Sequence, residues 1–340
     1  MSNALAFPRK ILPGLALCAA VSALAYAGDA LEAHVFGKAW LETLVLAIVI
    51  GAVVRTAWTP PPAFTDGVAF SAKTLLEIAI VLLGLSVSYG ALVAAGPALI
   101  GGIAVVVCAA IAISYGIGRG FGLPHKLAVL IACGNSICGN SAIAAAAPVI
   151  RADSHDIAAS IAFTAVLGVI VVLMLPLAGQ VLHLSQLQYG VLAGLTVYAV
   201  PQVLAATAPM GAISVQIGAL VKLGRVLMLG PVLSGLAVFG GAGAAASQDK
   251  VGWRQLAPPF ILGFLGMIGV RATGWLSPSM LDAAAMASSV LTIMAMAALG
   301  VGVDARSVAR AGARVTVVVV ASLLALGAIS LTLIFALGLR

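Results

Sequence analysis

The sequence predicts an all-α polytopic membrane protein of about 9–11 transmembrane segments, and three observations carry that expectation. Of 340 residues, 63% are hydrophobic and 8% charged, and the mean hydropathy is +1.20. A soluble domain carries about 25% charged residues, so there is too little polar surface here to cover a water-soluble globule. Apolar runs of spanning length recur at 11–27, 39–58, 72–90, 92–118, 157–178, 212–242, 255–272, 283–303 and 315–338. Two further segments, 125–150 and 188–210, are apolar but interrupted.

The first run follows Arg9 and Lys10 and ends in Ala25-Tyr26-Ala27, a pattern that also fits a secretory signal. It reads better as the first transmembrane helix, because it opens a series of such segments. Trp40 and Trp58 bracket the second run, and Trp253 and Trp275 bracket the one at 255–272. Interfacial indole rings belong at such ends. Net charge is +7, but the cations lie in short loops and read as topology determinants rather than a nucleic-acid patch. With alternating spans, Arg9/Lys10, Arg55/Lys73, Arg119/Lys126, Lys250/Arg254 and Arg306/Arg310/Arg314 share one side, whereas Lys38, Arg271 and Arg340 take the other. The expected N-terminus is cytoplasmic and the C-terminus external. Cys18, Cys108, Cys133 and Cys138 lack zinc-type spacing with histidines, and are expected as free, buried thiols.

The stretch CGNSICGNSAIAAAAPVI, 133–150, repeats a polar unit where hydrocarbon is expected. Glycine weakens helix, and Asn and Ser offer the backbone competing bonds. A break at membrane depth survives only inside protein or beside a watery cavity. A kinked helix used for packing is the plainer alternative, but packing needs glycine and not two Asn-Ser pairs. Asn140 or Ser141 is placed to cap a restarted helix, whose free N–H groups favour an anion. In TVYAVPQVLAATAP, Pro201 starts the second arm and Gln202 stands where Ser141 stands. Each interrupted segment can cross or turn back. A hairpin keeps Arg151 with Arg119 and Lys126, and the loop 179–190 holds no Lys or Arg, as suits an outer loop. Paired hairpins are the preferred reading.

Internal repetition points to a transporter built from related halves within one domain, 1–340. Laid over 282–312 without a gap, 66–96 matches at nine of 31 positions, including Asp66/Asp282, Gly84/Gly300 and Gly96/Gly312. A second, shorter similarity relates 125–150 to 188–210, through AIAAAAP and VLAATAP.

Lys222 and Arg225 lie mid-span, three apart on one helix face. Two buried cations are costly without a counter-charge. Glu77 is the carboxylate well inside a span; it can pair with one cation and not both. An anion would complete the site; alternatively, either cation ties broken-helix carbonyls together. The candidate substrate-binding set is Asn135, Ser136, Asn140, Ser141, Gln202, Lys222 and Arg225, with Glu77 as the coupling-ion candidate. There is no G-x-x-x-x-G-K-[ST] run and no span with a His/Asp/Glu cluster. ATP use, an enzyme, a metal and a cofactor are therefore not expected.

GNSICGNSAIAAAAPVI, VKLGRVLMLGPVL and AMAALGVGVDARSVARAG, in this order, resemble the YeiH family of bacterial inner-membrane proteins, also catalogued as UPF0324. The resemblance runs from PGLAL (13–17) to the last span. Members are commonly labelled sulfate exporters, and the family is grouped with the cation:proton antiporter and anion transporter superfamily, whose folds cross two broken helices at the midplane. The resemblance implies that Ser136, Asn140, Ser141, Lys222 and Arg225 lie in the central site. This chain lacks the Asp pair of that superfamily's sodium/proton antiporters, which argues against cation exchange. The expected function is secondary active export of a small anion, such as sulfate or a sulfonate, by alternating access. The alternatives are a sodium- or proton-coupled organic-anion carrier using Glu77, or an anion channel. Expected partners are the lipid bilayer and the small anion, with no nucleic acid and with a homodimer left open.

Overall fold

The computed structural model describes residues 3–36, 42–86, 89–239, 259–303 and 313–339, and every regular element among them is helical. A helix satisfies its own backbone N–H and C=O groups, which hydrocarbon demands. Fifteen α-helices are described: α1 (Asn3–Phe36), α2 (Thr43–Ala57), α3 (Thr65–Phe70), α4 (Leu76–Leu83), α5 (Tyr89–Gly120), α6 (His125–Ser136), α7 (Asn140–Val149), α8 (Ser154–Val181), α9 (Gln186–Thr196), α10 (Val200–Thr207), α11 (Ala212–Leu227), α12 (Leu229–Phe239), α13 (Pro259–Ala272), α14 (Pro278–Gly302) and α15 (Ala313–Ala336). A π-helical turn, Ser71–Leu75, joins α3 to α4.

Among the described residues, seven helical stretches are long and apolar enough to cross a membrane: Lys10–Val35, Pro62–Ser86, Ala98–Gly120, Ser154–Val181, Ala212–Ala237, Pro278–Gly302 and Ala313–Ala336. The chain is a multi-pass membrane protein. The runs expected at 39–58 and 255–272 give the shorter helices Thr43–Ala57 and Pro259–Ala272. Trp40, Trp253 and the cations Lys38, Lys250, Arg254, Arg306 and Arg310 lie outside the described residues, as does the end of the 282–312 repeat. Trp58 and Trp275 do follow α2 and α13, and both are exposed. The four cysteines are free, but the expectation that all are buried fails. Cys108 is exposed and Cys138 partly so.

The helices gather into two compact units, Met1–Tyr89 with Phe260–Arg306 and Gly90–Pro259 with Ser307–Arg340. In the first unit, glycines let helix backbones touch, as small residues do in membranes. A Cβ on Gly300 of α14 would meet Ile48 O, with Gly51 Cα at 3.0 Å and Ile48 C at 3.0 Å, all on α2. A Cβ on Gly84, just after α4, would meet Phe264 O, with Met267 Cβ at 2.9 Å and Phe264 C at 3.2 Å, all on α13. The two contacts share one spacing: 300 − 84, 264 − 48 and 267 − 51 each equal 216. Gly14 of α1 and Gly67 of α3 make a third crossing, each facing the other's Cα at 2.7 Å.

In the second unit, α6 and α7 form an antiparallel hairpin. Lys126 Nζ at the start of α6 donates to Arg151 O, just beyond α7, at 2.6 Å. Gly134 faces Ile143 across the same hairpin. The turn falls at 137–139, where Gly139 has φ +66° and ψ −126°, a conformation open to glycine. A second hairpin pairs α9 with α10. Tyr189 Oη donates to Ala206 O at 2.8 Å, and the turn falls at 197–199. Helix α11 then starts beside the first residue of α9, where Ser214 Oγ donates to Gln186 O at 2.7 Å. The Ser185–Gln188 capping box fixes the start of α9, with bonds of 2.9 and 3.3 Å. Helix α8 leads from the mouth of one hairpin to the mouth of the other, so the hairpins enter from its opposite ends. Its 28 residues span about 42 Å, and α6 and α9 reach about 18 and 16 Å. Both tips therefore arrive near the middle of α8. Gly134 and Gly139 there face Thr164, and Gly168 faces Gln202.

Candidate functional site

The two tips meet directly. A Cβ on Gly139 would lie 3.1 Å from Tyr198 Cβ, so glycine is required there for space as well as for its φ. Tyr198 Oη donates to Asn135 Oδ1 at 3.0 Å. Asn135 Nδ2 donates in turn to Val319 O of α15 at 3.3 Å. One amide thus links the first tip to the second and to α15.

An α-helix ends with four carbonyls that lack intrahelical donors, and at α6 all four have identified partners. Ile137 N–H donates to Cys133 O at 3.1 Å, and Gly139 N–H to Gly134 O at 2.9 Å. Arg225 supplies the other two, with Nη2 to Asn135 O at 2.9 Å and Nε to Ser136 O at 3.1 Å. The same guanidinium reaches the second hairpin, with Nη1 to Gly194 O at 3.0 Å and to Val197 O at 3.3 Å. Lys222 Nζ bridges the tips as well, donating to Ile137 O at 2.6 Å and Val197 O at 2.9 Å. Both cations are fully buried, at 0% exposure, and α11 holds them one turn apart. Two glycines bring α11 close to α9: a Cβ on Gly194 would lie 2.7 Å from Gly218 O, and one on Gly190 2.8 Å from Ser214 O.

The C-termini of α6 and α9 each present about half a negative charge. Together they offset about one of the two cationic charges on α11, and leave the crossing positive. Among the described residues, Lys222 and Arg225 are the buried charged side chains, and no carboxylate is buried with them. Glu77 is half-buried on α4, in the other compact unit.

The remaining expected residues divide. Asn140 and Ser141 are exposed at the start of α7. Neither caps it, contrary to expectation: the N-cap is Gly139, without a side-chain cap bond. Asn140 Oδ1 instead accepts from Thr164 Oγ1 of α8. Gln202 is buried and turns inward, its Oε1 accepting from the N–H of the N-cap residue Ala199 at 3.2 Å. Ser136 Oγ is buried with no hydrogen-bond partner among the described residues. Sequence reasoning missed Tyr198 and Thr164. Tyr198 stands in the second interruption, and a hydroxylated aromatic at such a break is the signal that could have found it. Thr164 carries none, because its partner is fixed only by the fold.

The family model described as "Conserved hypothetical protein 698" matches residues 13–319. A UPF0324 membrane protein of Brucella melitensis is 59% identical over 330 residues, covering 97% of this chain and 92% of the relative. The chain belongs to the UPF0324 family. Other UPF0324 membrane proteins are similar along most of their length. That of Agrobacterium fabrum is 53% identical, covering 95% of this chain and 92% of the relative. That of Bacillus cereus is 36% identical, covering 87% of each. No solved structure matches this UPF0324 chain.

Proposed function

We propose that this UPF0324 protein is a secondary transporter for a small anion in the bacterial inner membrane, working by alternating access. One observation carries the reading: two hairpins from opposite ends of α8 meet at a crossing that holds Lys222 and Arg225 and, among the described residues, no buried carboxylate. Paired re-entrant segments that meet at mid-depth are a transporter arrangement, and the balance of charge favours an anion. The anion binds at the open start of α7, where Asn140 and Ser141 are exposed and the helix dipole adds positive potential. Lys222 and Arg225 contribute field rather than direct contact, and Asn135 and Ser136 shape the tip behind them. Gln202, buried and turned back on Ala199 at the start of α10, keeps an internal role. The shared spacing of 216 in the first unit supports two related halves. The basic mouth of the first hairpin, with Lys126 and Arg151, supports a cytoplasmic position for that end.

Purified protein should gain thermal stability from its anion, because a ligand that binds the native state raises the melting temperature. A panel of sulfate, sulfonates, carboxylates and halides identifies it, and flux into proteoliposomes follows. Loss of flux in Glu77→Gln would point instead to carboxylate coupling. A panel in which no anion shifts the melting temperature and none is transported would refute the proposal.

A further inference from the structure

In carriers, helix C-terminal carbonyls that converge at the midplane are a coordination site for a coupling cation such as sodium. Here five such carbonyls converge: Asn135, Ser136 and Ile137 from the first tip, Gly194 and Val197 from the second. All five accept from Lys222 or Arg225. Each cation, moreover, donates to both tips: Lys222 to Ile137 O and Val197 O, Arg225 to Asn135 O and Ser136 O on one side and Gly194 O and Val197 O on the other. The pair sits on α11, which is packed through glycines onto α9.

We propose that Lys222 and Arg225 are built-in cations that fill the carbonyl site between the tips and fasten both hairpins to α11 as one body. Alkali cations are held by rings of carbonyl oxygens in place of water; an ammonium or guanidinium held by covalent attachment does the same and cannot leave. Assembly of the site therefore needs no sodium. Neither hairpin opens alone, because lifting either tip from α11 would expose its carbonyls and strand a buried charge. The tips change access together, with α11. Asn135 reinforces the fastening through Tyr198 and Val319. Lys222 and Arg225 are thus positioning residues for transport.

This inference deepens the transporter reading, but its test holds the anion constant and varies only the cation, so each can fail without the other. Purified protein is melted in chloride solutions of sodium, potassium and choline at equal ionic strength, with Lys222→Ala, Lys222→Arg and Lys222→Met beside the parent. The parent should melt at one temperature in all three. Lys222→Ala should melt several degrees lower, and millimolar methylammonium or sodium, which fit the vacated carbonyls, should recover most of that loss. Lys222→Arg should stay near the parent. Hydrogen exchange should quicken in Lys222→Ala at 134–139 and 194–199 together. If Lys222→Ala fails to fold, Lys222→Met decides: parental stability there means that the charge fastens nothing, and the proposal falls. Sodium-specific stabilisation of the parent would overturn it too, as would faster exchange at one tip alone.

Discussion

The common spacing of 216 makes a quantitative demand on two glycines 216 residues apart. Gly84 faces Phe264 and Met267, and Gly300 faces Ile48 and Gly51, through backbone or Cβ atoms that cannot swing aside. A methyl group at either site would stand inside van der Waals contact, 2.9 Å from Met267 Cβ in one case and 3.0 Å from Gly51 Cα in the other. Overpacking costs about 1–3 kcal/mol, whereas alanine in a helix recovers about 0.5–1 kcal/mol relative to glycine. Gly84→Ala and Gly300→Ala should therefore each destabilise the protein, by up to about 2.5 kcal/mol and by similar amounts. Gly269→Ala is the control. Gly269 lies on α13 with open space, among the described residues, where a Cβ would stand, so Gly269→Ala should be neutral or slightly stabilising. Denaturant unfolding of purified protein in one detergent measures all three. If Gly84→Ala is neutral while Gly300→Ala is severe, the two crossings are not equivalent and the related-halves reading loses its structural support.

Tyr198→Phe removes the hydroxyl that joins the second tip to Asn135 and leaves Oδ1 without that donor; a loss of about 1–3 kcal/mol is expected in the same unfolding assay. Ser141→Ala and Asn140→Ala should fold normally, since both side chains are exposed, yet weaken the anion-induced thermal shift; an unchanged shift would move the anion site elsewhere. Ser185→Ala, which removes half of the capping box at the start of α9, should cost about 1 kcal/mol in stability. His155 and His183 are exposed near opposite ends of α8. Cysteine at 183 should react with an impermeant thiol reagent in whole cells and cysteine at 155 only after inversion of the membrane; the opposite pattern would reverse the orientation.

Composition and the apolar runs together determined that this chain lives in a membrane and is helical, because at +1.20 mean hydropathy no other backbone arrangement satisfies its hydrogen bonds except a closed barrel, which the long unbroken apolar runs exclude. The Gly-Asn-Ser steps located the first interruption, since local backbone preference is a short-range property. The repeat register drawn from 66–96 and 282–312 also paired Gly84 with Gly300, whose neighbours keep the same spacing. The partners of the buried cations were another matter. Formal charge counting sees Lys222 and Arg225 as an excess in search of an anion or a carboxylate. It does not see helix-end carbonyls as counter-charges, and those lie 85 to 90 residues away on the first hairpin. The turn-back of each hairpin was likewise decided by long-range bonds such as Lys126 to Arg151 O, where the sequence offered one arginine's position. The same holds for Asn140, Ser141 and Gln202. Their residue types suit a helix start in isolation, but only the tertiary structure set Gln202 against Gly168 of α8 and gave Asn140 its partner in Thr164.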